Sequence, residues 1–379
     1  MVKSIGFVNP QSYSNLAKYD AGVLSEMAGA DVNYYCSRLL SSDAAILNSA
    51  VQVLKLFSYN KSNAFVKSFI YMYNMVKMFI TAFSAKHDVM HVQWCKLPLF
   101  DIMLYGLLKL ISRKPPIFIL TVHNVFPHKS NFLNRFSYRL LYRFFDRLIV
   151  HEKRAAESLT KQLGVDSRRI AVIKHGIIPF DVHDGELDNS LSMLGSNKSK
   201  LVFCSLGSGS NYKGTDLLIT AWFDTGLYKE ENCILIIAGR MDSKIKALLD
   251  HYLSKYNCNN LHCFDRYMSE SEMDYISSNS SVCVLPYRVI SQSGVLMSVL
   301  PYRLPLIVTD VGGLSEPFEY GDIGLLLKEA TVAELSEALK FCFLNQSKVT
   351  AMKRSSAWND VLNVYSWENI SKKTRDFYC

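Results

Sequence analysis

Residues 200–223, KLVFCSLGSGSNYKGTDLLITAWF, decide the fold because they join a strand, a glycine-rich turn and a helix. The apolar run 200–207 predicts a buried strand, and the apolar spacing over 215–223 predicts a helix. The glycines between them, ending at Lys213-Gly214, allow the backbone to approach a bound group closely. A buried strand followed by such a turn and a helix is typical of a βαβ unit in a parallel sheet.

The same alternation runs along the rest of the chain. The amphipathic stretches 65–85 and 100–112 predict helices. Buried strands are predicted at 4–9, 89–94, 116–124, 147–152 and 169–176 in the first half, and at 233–240, 260–264, 281–287 and 304–310 in the second. The sequence therefore predicts an α/β protein with two doubly wound parallel sheets in tandem.

The polar segment 181–200, rich in Ser, Asn, Asp and Gly, predicts a linker between the two sheets. We expect a first domain at 1–185, a linker at 186–199, a second domain at 200–360, and a terminal helix at 361–379 that crosses back to the first domain. Ligands of open parallel sheets bind beyond the carboxyl ends of the strands. An interdomain cleft is therefore the expected site.

Composition excludes several classes of protein. The 379 residues are 49% hydrophobic and 20% charged, which excludes a disordered chain, a coiled coil and a fibre. The nine cysteines are odd in number and lack metal-knuckle spacing, which predicts reduced thiols rather than a disulfide framework or a zinc site. The N-terminus carries no export signal, and the longest apolar region, 69–83, is shorter than the roughly 20 residues of a membrane span.

Charge is distributed unevenly along the chain. Residues 1–180 carry 23 Lys and Arg against 10 Asp and Glu, whereas the whole chain has a net charge of only +8. A basic first half predicts an anionic partner. Four arginines, Arg135, Arg139, Arg143 and Arg147, recur every four residues among aromatic residues, which on a helix predicts a basic face for an anionic membrane surface. The alternative is a solvated charged face over an aromatic core. Nucleic acid is disfavoured because no binding motif is present.

Two further glycine-bearing turns follow predicted strands of the second half. Residues 286–296 contain Arg288 and the run Gln292-Ser293-Gly294-Val295, whose backbone amides are suited to an anion. Residues 309–316 contain Gly312-Gly313 and Glu316. Each turn taken alone is also explained as a plain strand-to-helix junction, and Arg288 as a surface charge.

The order of these motifs resembles the nucleotide-sugar-binding domain of family 4 glycosyltransferases with the GT-B fold, which has two Rossmann-like doubly wound domains. The motifs are SLGSGSNYKGTDLLITA, IIAGR, VLPYRVISQSGV, PLIVTDVGGLSE and GDIGLLL, together with TVHNVFPHK and VIKHG in the first half. The resemblance implies that Lys213 contacts the donor diphosphate, that Gly294 and Val295 offer it backbone amides, and that Gly312 and Gly313 border the sugar.

The resemblance also implies a reacting-centre role for one histidine. His123 falls at the position of the family's histidine that touches the sugar, and His128 and His175 are secondary candidates. The full set of expected donor-binding residues is Lys213, Gly214, Arg240, Arg288, Gln292, Ser293, Gly294, Val295, Gly312, Gly313 and Glu316.

The sequence departs from the family pattern at two places. Residues 208–210 are Ser-Gly-Ser where an arginine is usual, so that cation is either lost or replaced by Arg240, Arg266 or Arg288. The family's Glu-x7-Glu pair is absent, and its second glutamate falls on Ser298 or Val299. No Asp-x-Asp motif is present, so we expect no metal and no cofactor, with charge on the leaving diphosphate met by Lys213, arginines and helix N-termini.

The resemblance implies transfer of a hexosyl group from a UDP- or GDP-sugar to a lipid-linked or polysaccharide acceptor in O-antigen, capsule or exopolysaccharide synthesis. We expect a retaining, metal-independent enzyme, peripheral on the cytoplasmic side of the membrane. The alternatives are an inverting enzyme on the same fold, because the acidic pair is missing, and a degenerate GT-B adaptor in a membrane assembly.

Overall fold

The structure is a computed structural model, and it describes residues 2–13, 15–25, 27, 29–40, 51–58, 63–126, 132–182, 187–196 and 199–379. The chain divides into two compact units. The first contains residues 1–176 together with 364–379, and the second contains residues 177–363.

The first unit is built on a seven-stranded parallel sheet. Its strands are β1 (Ser4–Asn9), β2 (Asp31–Ser37), β3 (Val51–Phe57), β4 (Val89–Val92), β5 (Ile117–Val122), β6 (Arg147–Val150) and β7 (Ile170–Val172). Their spatial order, β3-β2-β1-β4-β5-β6-β7, reverses direction beside β1. This reversal is the topological switch point at which such sheets bind ligands.

Helices cover both faces of this sheet. The bounds are α1 (Asn15–Ser25), α2 (Ala64–Ala85), α3 (Pro98–Ile111), α4 (Phe132–Phe144) and α5 (Lys153–Leu163). Helices α2 to α5 share one apolar core on one face, which includes Met75, Tyr105 and Tyr142. Helix α1 belongs to the core of the other face.

The C-terminal helix α14 (Trp367–Tyr378) packs on α1 in the first unit. Its Trp367 indole lies between two glycines, since a Cβ on Gly22 would be 2.2 Å and one on Gly176 2.5 Å from ring carbons. The Trp367 ring also meets Tyr19 edge-on, with 5.4 Å between centroids. Glycine is needed at both positions because any side chain would displace the indole.

The second unit is built on a six-stranded parallel sheet in the order β10-β9-β8-β11-β12-β13. Its strands are β8 (Leu201–Leu206), β9 (Cys233–Ala238), β10 (Leu261–Phe264), β11 (Val282–Leu285), β12 (Leu306–Thr309) and β13 (Gly324–Leu327). Its helices are α6 (Ser192–Ser196), α7 (Thr215–Asp224), α8 (Ser243–Lys255), α9 (Glu270–Ser278), α10 (Gly294–Val299), α11 (Val332–Leu344), α12 (Gln346–Lys353) and α13 (Ala357–Val364). Several begin at a side-chain cap; at α9, Ser269 and Glu272 form a capping box.

The predicted α/β class and the paired doubly wound sheets are confirmed, and every predicted strand is present, β1 over the predicted range and the others in shortened form. Strands β2, β3 and β13 were not predicted from the sequence. The boundaries also differ, because the units divide after Gly176 and Asn363 rather than after 185 and 360. The described residues of the expected linker 186–199 belong to the second unit, where Arg266 donates a hydrogen bond to Asp188 at 2.9 Å.

Two expectations about the first half are corrected. Arg147 does not extend the arginine face of α4, because the helix ends at Phe144 and Arg147 begins β6. Its guanidinium donates to the carbonyl oxygens of Phe377 and Cys379, so its charge caps the end of α14. Most aromatics near the arginines are core residues, with Tyr142 and Phe145 buried.

All nine cysteines are free thiols.

No helix in the described part of the chain is both long enough and apolar enough to span a membrane.

Replacing a glycine that contacts the Trp367 indole and replacing one that does not should have opposite effects on stability. Gly22→Ala should lower the free energy of unfolding by about 1–3 kcal/mol, because its methyl group would overlap the indole. Gly106→Ala in α3, where a Cβ would lie 3.7 Å from the nearest atom, should raise it by about 0.5–1 kcal/mol. Urea unfolding of the two variants measures both changes. Equal effects would show that α14 does not press on α1 as described.

Candidate functional site

Three glycine-bearing turns of the second unit meet beyond the ends of their strands. Lys213 ends the short 3-10 turn Asn211–Lys213 that follows β8. A Cβ on Gly207 would lie 2.7 Å from the Lys213 Nζ and 3.2 Å from a methyl carbon of Val295. Lys213 and the Gln292–Val295 turn therefore converge on the backbone of Gly207, as the sequence motifs require.

Gly214 joins the first two turns. Its φ of +67° lies in the left-handed region, and a Cβ there would be 2.0 Å from the carbonyl oxygen of Pro286. No side chain fits this position, and any substitution would push the β8 turn away from the β11 turn. The glycine thereby fixes the position of the neighbouring Lys213.

The Lys213 ammonium is partly removed from water. It lies 5.6 Å from the centroid of the Tyr287 ring, and burial lowers the pKa of Lys213. Among the residues that the structure describes, no carboxylate lies within salt-bridge distance of it. A desolvated cation of this kind gains free energy from an incoming anion.

The three candidate arginines have different partners. Arg288 makes a two-pronged ion pair with Asp216 at 2.6 and 2.7 Å, and Arg266 binds Glu272 at 2.6 Å. The Arg288 guanidinium, expected at the diphosphate, thus joins the β11 turn to the first turn of α7. Arg240 is exposed after β9, and its carbonyl accepts a hydrogen bond from the Gly209 amide of the turn after β8 at 3.0 Å.

The second turn is held by Ser293, whose side chain accepts a hydrogen bond from Leu296 at the start of α10. The backbone amides of Gly294 and Val295 have no hydrogen-bond partner within the described ranges, because the first amides of a helix lack one. Ser298 and Val299, which stand where the family has glutamate, are buried in α10.

The third turn packs on the second. Gly312 has a φ of +53°, and a Cβ there would be 1.9 Å from the carbonyl oxygen of Ile290. Gln292 lies against Gly313, whose amide donates to Ser291 at 2.9 Å. Glu316 follows as a buried residue at the start of a 3-10 segment. All of the expected donor-binding residues therefore lie on or directly beside the turns after β8, β9, β11 and β12.

In the first unit, His123 follows β5 and lies in a cluster of aromatic rings. Its ring stacks on Trp94 with 4.9 Å between centroids and an interplanar angle of 8°. Tyr19 and His151 lie 5.4 and 5.1 Å away. Burial, followed by the neighbouring histidines, lowers the pKa of His123 well below its usual value, so the imidazole is neutral near pH 7.

A chain of hydrogen bonds that ends at Tyr378 orients the His123 ring. His123 Nε2 lies 3.0 Å from Gln93 Oε1, Gln93 Nε2 lies 3.1 Å from His91 Nε2, and His91 Nδ1 lies 2.6 Å from the Tyr378 hydroxyl. In this orientation of the amide, Gln93 Oε1 accepts from His123 Nε2, and His91 Nε2 accepts from Gln93 Nε2 and from the Thr121 hydroxyl at 2.7 Å, which places hydrogen on His123 Nε2 and on His91 Nδ1. His123 Nδ1 then carries the lone pair that can accept a hydrogen bond from a sugar hydroxyl.

Sequence reasoning missed the supporting residues Gln93, His91 and Tyr378, because nothing local connects β4 with α14. His175 belongs to the same cluster, 4.9 Å from Tyr19, and its Nδ1 bonds the carbonyl oxygen of Gly176. His128 lies outside the described residues. No group of three or more His, Cys, Asp or Glu side chains in the described ranges could hold a metal ion.

Comparison with known proteins identifies the family of the chain. Residues 26–179 match the family model for Glycosyltransferase Family 4, and residues 189–357 match that for glycosyl transferases group 1. This chain belongs to the family 4 glycosyltransferases of GT-B fold. No similar sequence was found among the curated proteins.

Solved GT-B structures resemble this glycosyltransferase over its whole length. A glycosyltransferase from Rickettsia africae has 13% identity and a TM-score of 0.74, covering 100% of this chain and 98% of its own. Anabaena HepE in complex with UDP-glucose has 15% identity, a TM-score of 0.69 and 98% coverage of both chains. WaaG, a glycosyltransferase involved in lipopolysaccharide biosynthesis, has 14% identity, a TM-score of 0.67 and 98% coverage of both. At these identities the likeness shows the shared fold.

Helices α2, α3 and α4 of the glycosyltransferase present an apolar and basic outer surface. Its exposed apolar residues are Phe65, Val66, Phe69, Tyr73, Val76, Ile80 and Phe83 on α2, Leu99, Met103, Leu107, Leu110 and Ile111 on α3, and Phe136 on α4. Arg135, Arg139 and Arg143 are exposed on α4, which contacts α3. The only acidic residue of the three helices is Asp101, which is buried.

Burial of histidines makes the stability of the glycosyltransferase depend on pH. Burial lowers the pKa of five histidines of the first unit, to about 4 for His87 and His175, to about 3 for His91 and His151, and well below its usual value for His123. Below about pH 6.5 the unfolded chain binds these protons and the folded chain does not, so acid favours unfolding. Buried Asp20 and Asp101, with pKa values raised to about 8 and about 7, oppose this effect but are fewer.

We therefore expect the free energy of unfolding to fall by about 2–4 kcal/mol per pH unit between pH 6 and pH 5. Urea unfolding of the full chain at pH 7, 6 and 5 measures it. A stability that stays constant or rises over this range would contradict the neutral histidine cluster.

Proposed function

We propose that this glycosyltransferase moves a hexosyl group from a UDP- or GDP-sugar to a lipid-linked or polysaccharide acceptor. The observation that carries the donor half is the desolvated Lys213 ammonium, which converges with the Val295 side chain on the Gly207 backbone. The Gly294 and Val295 amides lie at the start of the helix that contributes this Val295 contact. These groups match a diphosphate in charge and in hydrogen-bond donors. HepE, of the same fold, is described with UDP-glucose bound.

In the proposed reaction the anomeric carbon loses its bond to the diphosphate oxygen and gains one to an acceptor hydroxyl oxygen, and the hydroxyl proton passes to the departing diphosphate. The negative charge that grows on the leaving diphosphate is met by Lys213, by the two backbone amides and by Arg240. Charge stabilisation of this kind is a large contribution to catalysis. Because these groups already supply positive potential, we propose that the departure does not need a metal ion.

His123 is proposed as the group of the first unit that contacts the transferred sugar. Its neutral imidazole offers Nδ1 as an acceptor, and the Trp94 ring and Gln93 hold its plane and its tautomer. A hydrogen bond to a sugar hydroxyl orients the anomeric carbon without a proton transfer. Orientation of this kind contributes to rate by placing the reacting atoms.

We propose retention of configuration, as is usual for the branch that the motifs resemble. The absent acidic pair leaves inversion as the second candidate, and NMR of the product's anomeric proton distinguishes the two. A degenerate adaptor is a further alternative. The assembled Lys213 turn disfavours it, because a chain without donor chemistry has no need of a desolvated lysine at this turn.

Replacement of Lys213 tests the donor assignment. Lys213→Ala should weaken UDP or GDP binding at least tenfold, because a buried charge-assisted contact is worth about 1.5–3 kcal/mol. Lys348→Ala on the surface of α12 is the matched control and should leave binding unchanged. Calorimetric titration measures binding, and a panel of nucleotide sugars measures transfer. Unchanged binding in Lys213→Ala, or no binding of any donor by the natural chain, would overturn the proposal.

We further propose that the α2–α4 surface rests on an anionic bilayer, which places the enzyme peripherally at the cytoplasmic face of the membrane. Exposed apolar residues beside basic residues, with no exposed carboxylate on these helices, fit a surface of acidic lipids. A membrane-held acceptor would then reach the enzyme from the bilayer. WaaG, which shares the fold, acts in lipopolysaccharide biosynthesis, and we propose a surface polysaccharide as the product here.

Vesicle flotation tests the membrane contact. The full chain should float with vesicles containing phosphatidylglycerol and much less with pure phosphatidylcholine. Phe69→Ser with Ile80→Ser, or Arg139→Gln with Arg143→Gln, should each reduce flotation several-fold. Tyr267→Ser and Lys244→Gln, exposed in the second unit, are the controls. Equal flotation of all variants would contradict the assignment of this surface.

A further inference from the structure

A cavity of about 240 Å³ opens beyond the carboxyl ends of β1 and β3, beside the topological switch point of the first unit. Its walls come from the segments after β1, β3 and β4 and from α2. This position is where parallel sheets bind ligands, and the cavity has room for roughly eight waters. None of the donor-binding residues described above lines it.

The lining combines positively charged, polar and aromatic residues. Two ammonium groups, on Lys67 of α2 and Lys96 after β4, border the cavity. Gln11, Ser58 and Asn74 supply an amide, a hydroxyl and a second amide, and the Asn74 amide donates to Ser58 at 3.1 Å. Of the lining residues that the structure describes, none is acidic.

The floor of the cavity is rigid. The Tyr71 ring stacks on Phe57 with 6.3 Å between centroids, and its hydroxyl donates to Asp101 at 2.9 Å and accepts from the Lys96 amide at 3.3 Å. Asp101 in turn accepts a hydrogen bond from the Leu97 amide at 3.1 Å. These bonds hold the backbone that carries Lys96, whose Nζ lies 6.0 Å from the centroid of the Tyr71 ring.

Helix α2 connects this cavity with the proposed membrane surface. Lys67, Tyr71 and Asn74 face the cavity, whereas Phe69 and Tyr73 are exposed. The side of α2 that faces the cavity and the side that is exposed are separated by the width of one helix, about 10 Å. A molecule whose apolar end lies in the bilayer can therefore place a polar group in the cavity.

We infer that this cavity binds the phosphate or diphosphate through which the acceptor saccharide is joined to its lipid. The inference rests on the proposed lipid-linked acceptor and names the residues that recognise it. Two lysine ammonium groups and neutral donors, with no carboxylate among the described lining residues, favour a compact anion, and the Phe57 and Tyr71 rings offer apolar surface to the adjoining alkyl or sugar carbons. The anion thereby fixes the distance of the acceptor hydroxyl from the membrane.

Calorimetric titration of the full chain with farnesyl phosphate and farnesol tests the inference without vesicles. Farnesyl phosphate should bind at least tenfold more tightly than farnesol. Lys67→Gln with Lys96→Gln should remove that difference and leave farnesol binding unchanged. Lys161→Gln with Lys372→Gln, exposed on α5 and α14, removes the same charge elsewhere in the first unit and should change nothing.

Equal binding of farnesyl phosphate and farnesol would overturn the inference, and so would an undiminished affinity for farnesyl phosphate in Lys67→Gln with Lys96→Gln. A third contradicting outcome is displacement of farnesyl phosphate by methyl glucuronide as effectively as by inorganic phosphate. The last would assign the cavity to an acidic sugar instead. UDP or GDP titrated into the same variants separates this test from the donor proposal. Lys67→Gln with Lys96→Gln should bind nucleotide normally, and Lys213→Ala should bind farnesyl phosphate normally.

Discussion

The second unit depends on the close approach of three backbone turns that leaves no room for a Cβ at Gly214 or Gly312. This approach places the Lys213 ammonium against the Gly207 backbone, which the Val295 side chain at the start of α10 also approaches. Folding already includes the free-energy cost of partly desolvating Lys213. A bound anion offsets this cost because it stabilises the charged ammonium. The Arg288–Asp216 pair ties the same turns from the outside. A cation fixed in this way stabilises charge on a ligand without rearrangement during the reaction.

The first unit holds a neutral histidine in one orientation. The tautomer of His123 is set by hydrogen bonds that run through Gln93 and His91 to Tyr378 in α14. The C-terminal helix is therefore part of the support of the site, and the Trp367 indole between Gly22 and Gly176 is what docks it. The same helix end is capped by Arg147, for which the sequence pattern suggests a membrane role.

Sequence alone predicts the α/β class, the two sheets and the turns that carry Lys213 and Gly294, because apolar runs followed by glycine have a local signature. It fails where structure depends on distant contacts. Strand β3 has the burial pattern of an exposed edge and so lacks a continuous apolar run. Arg288 and Arg147 could not be assigned because their partners, Asp216 and the end of α14, are 72 and 230 or more residues away. The cavity beside Tyr71 was missed for the same reason, since it is assembled from three loops and a helix.

The most direct test compares a nucleoside diphosphate, its monophosphate and the free nucleoside, titrated into the full chain with and without EDTA. The account predicts that UDP or GDP binds at least tenfold more tightly than the monophosphate, that the nucleoside binds more weakly still, and that EDTA changes none of these affinities. Equal affinity for the diphosphate and the nucleoside, or loss of diphosphate binding on chelation, would show that Lys213 and its neighbouring amides are not what holds the donor.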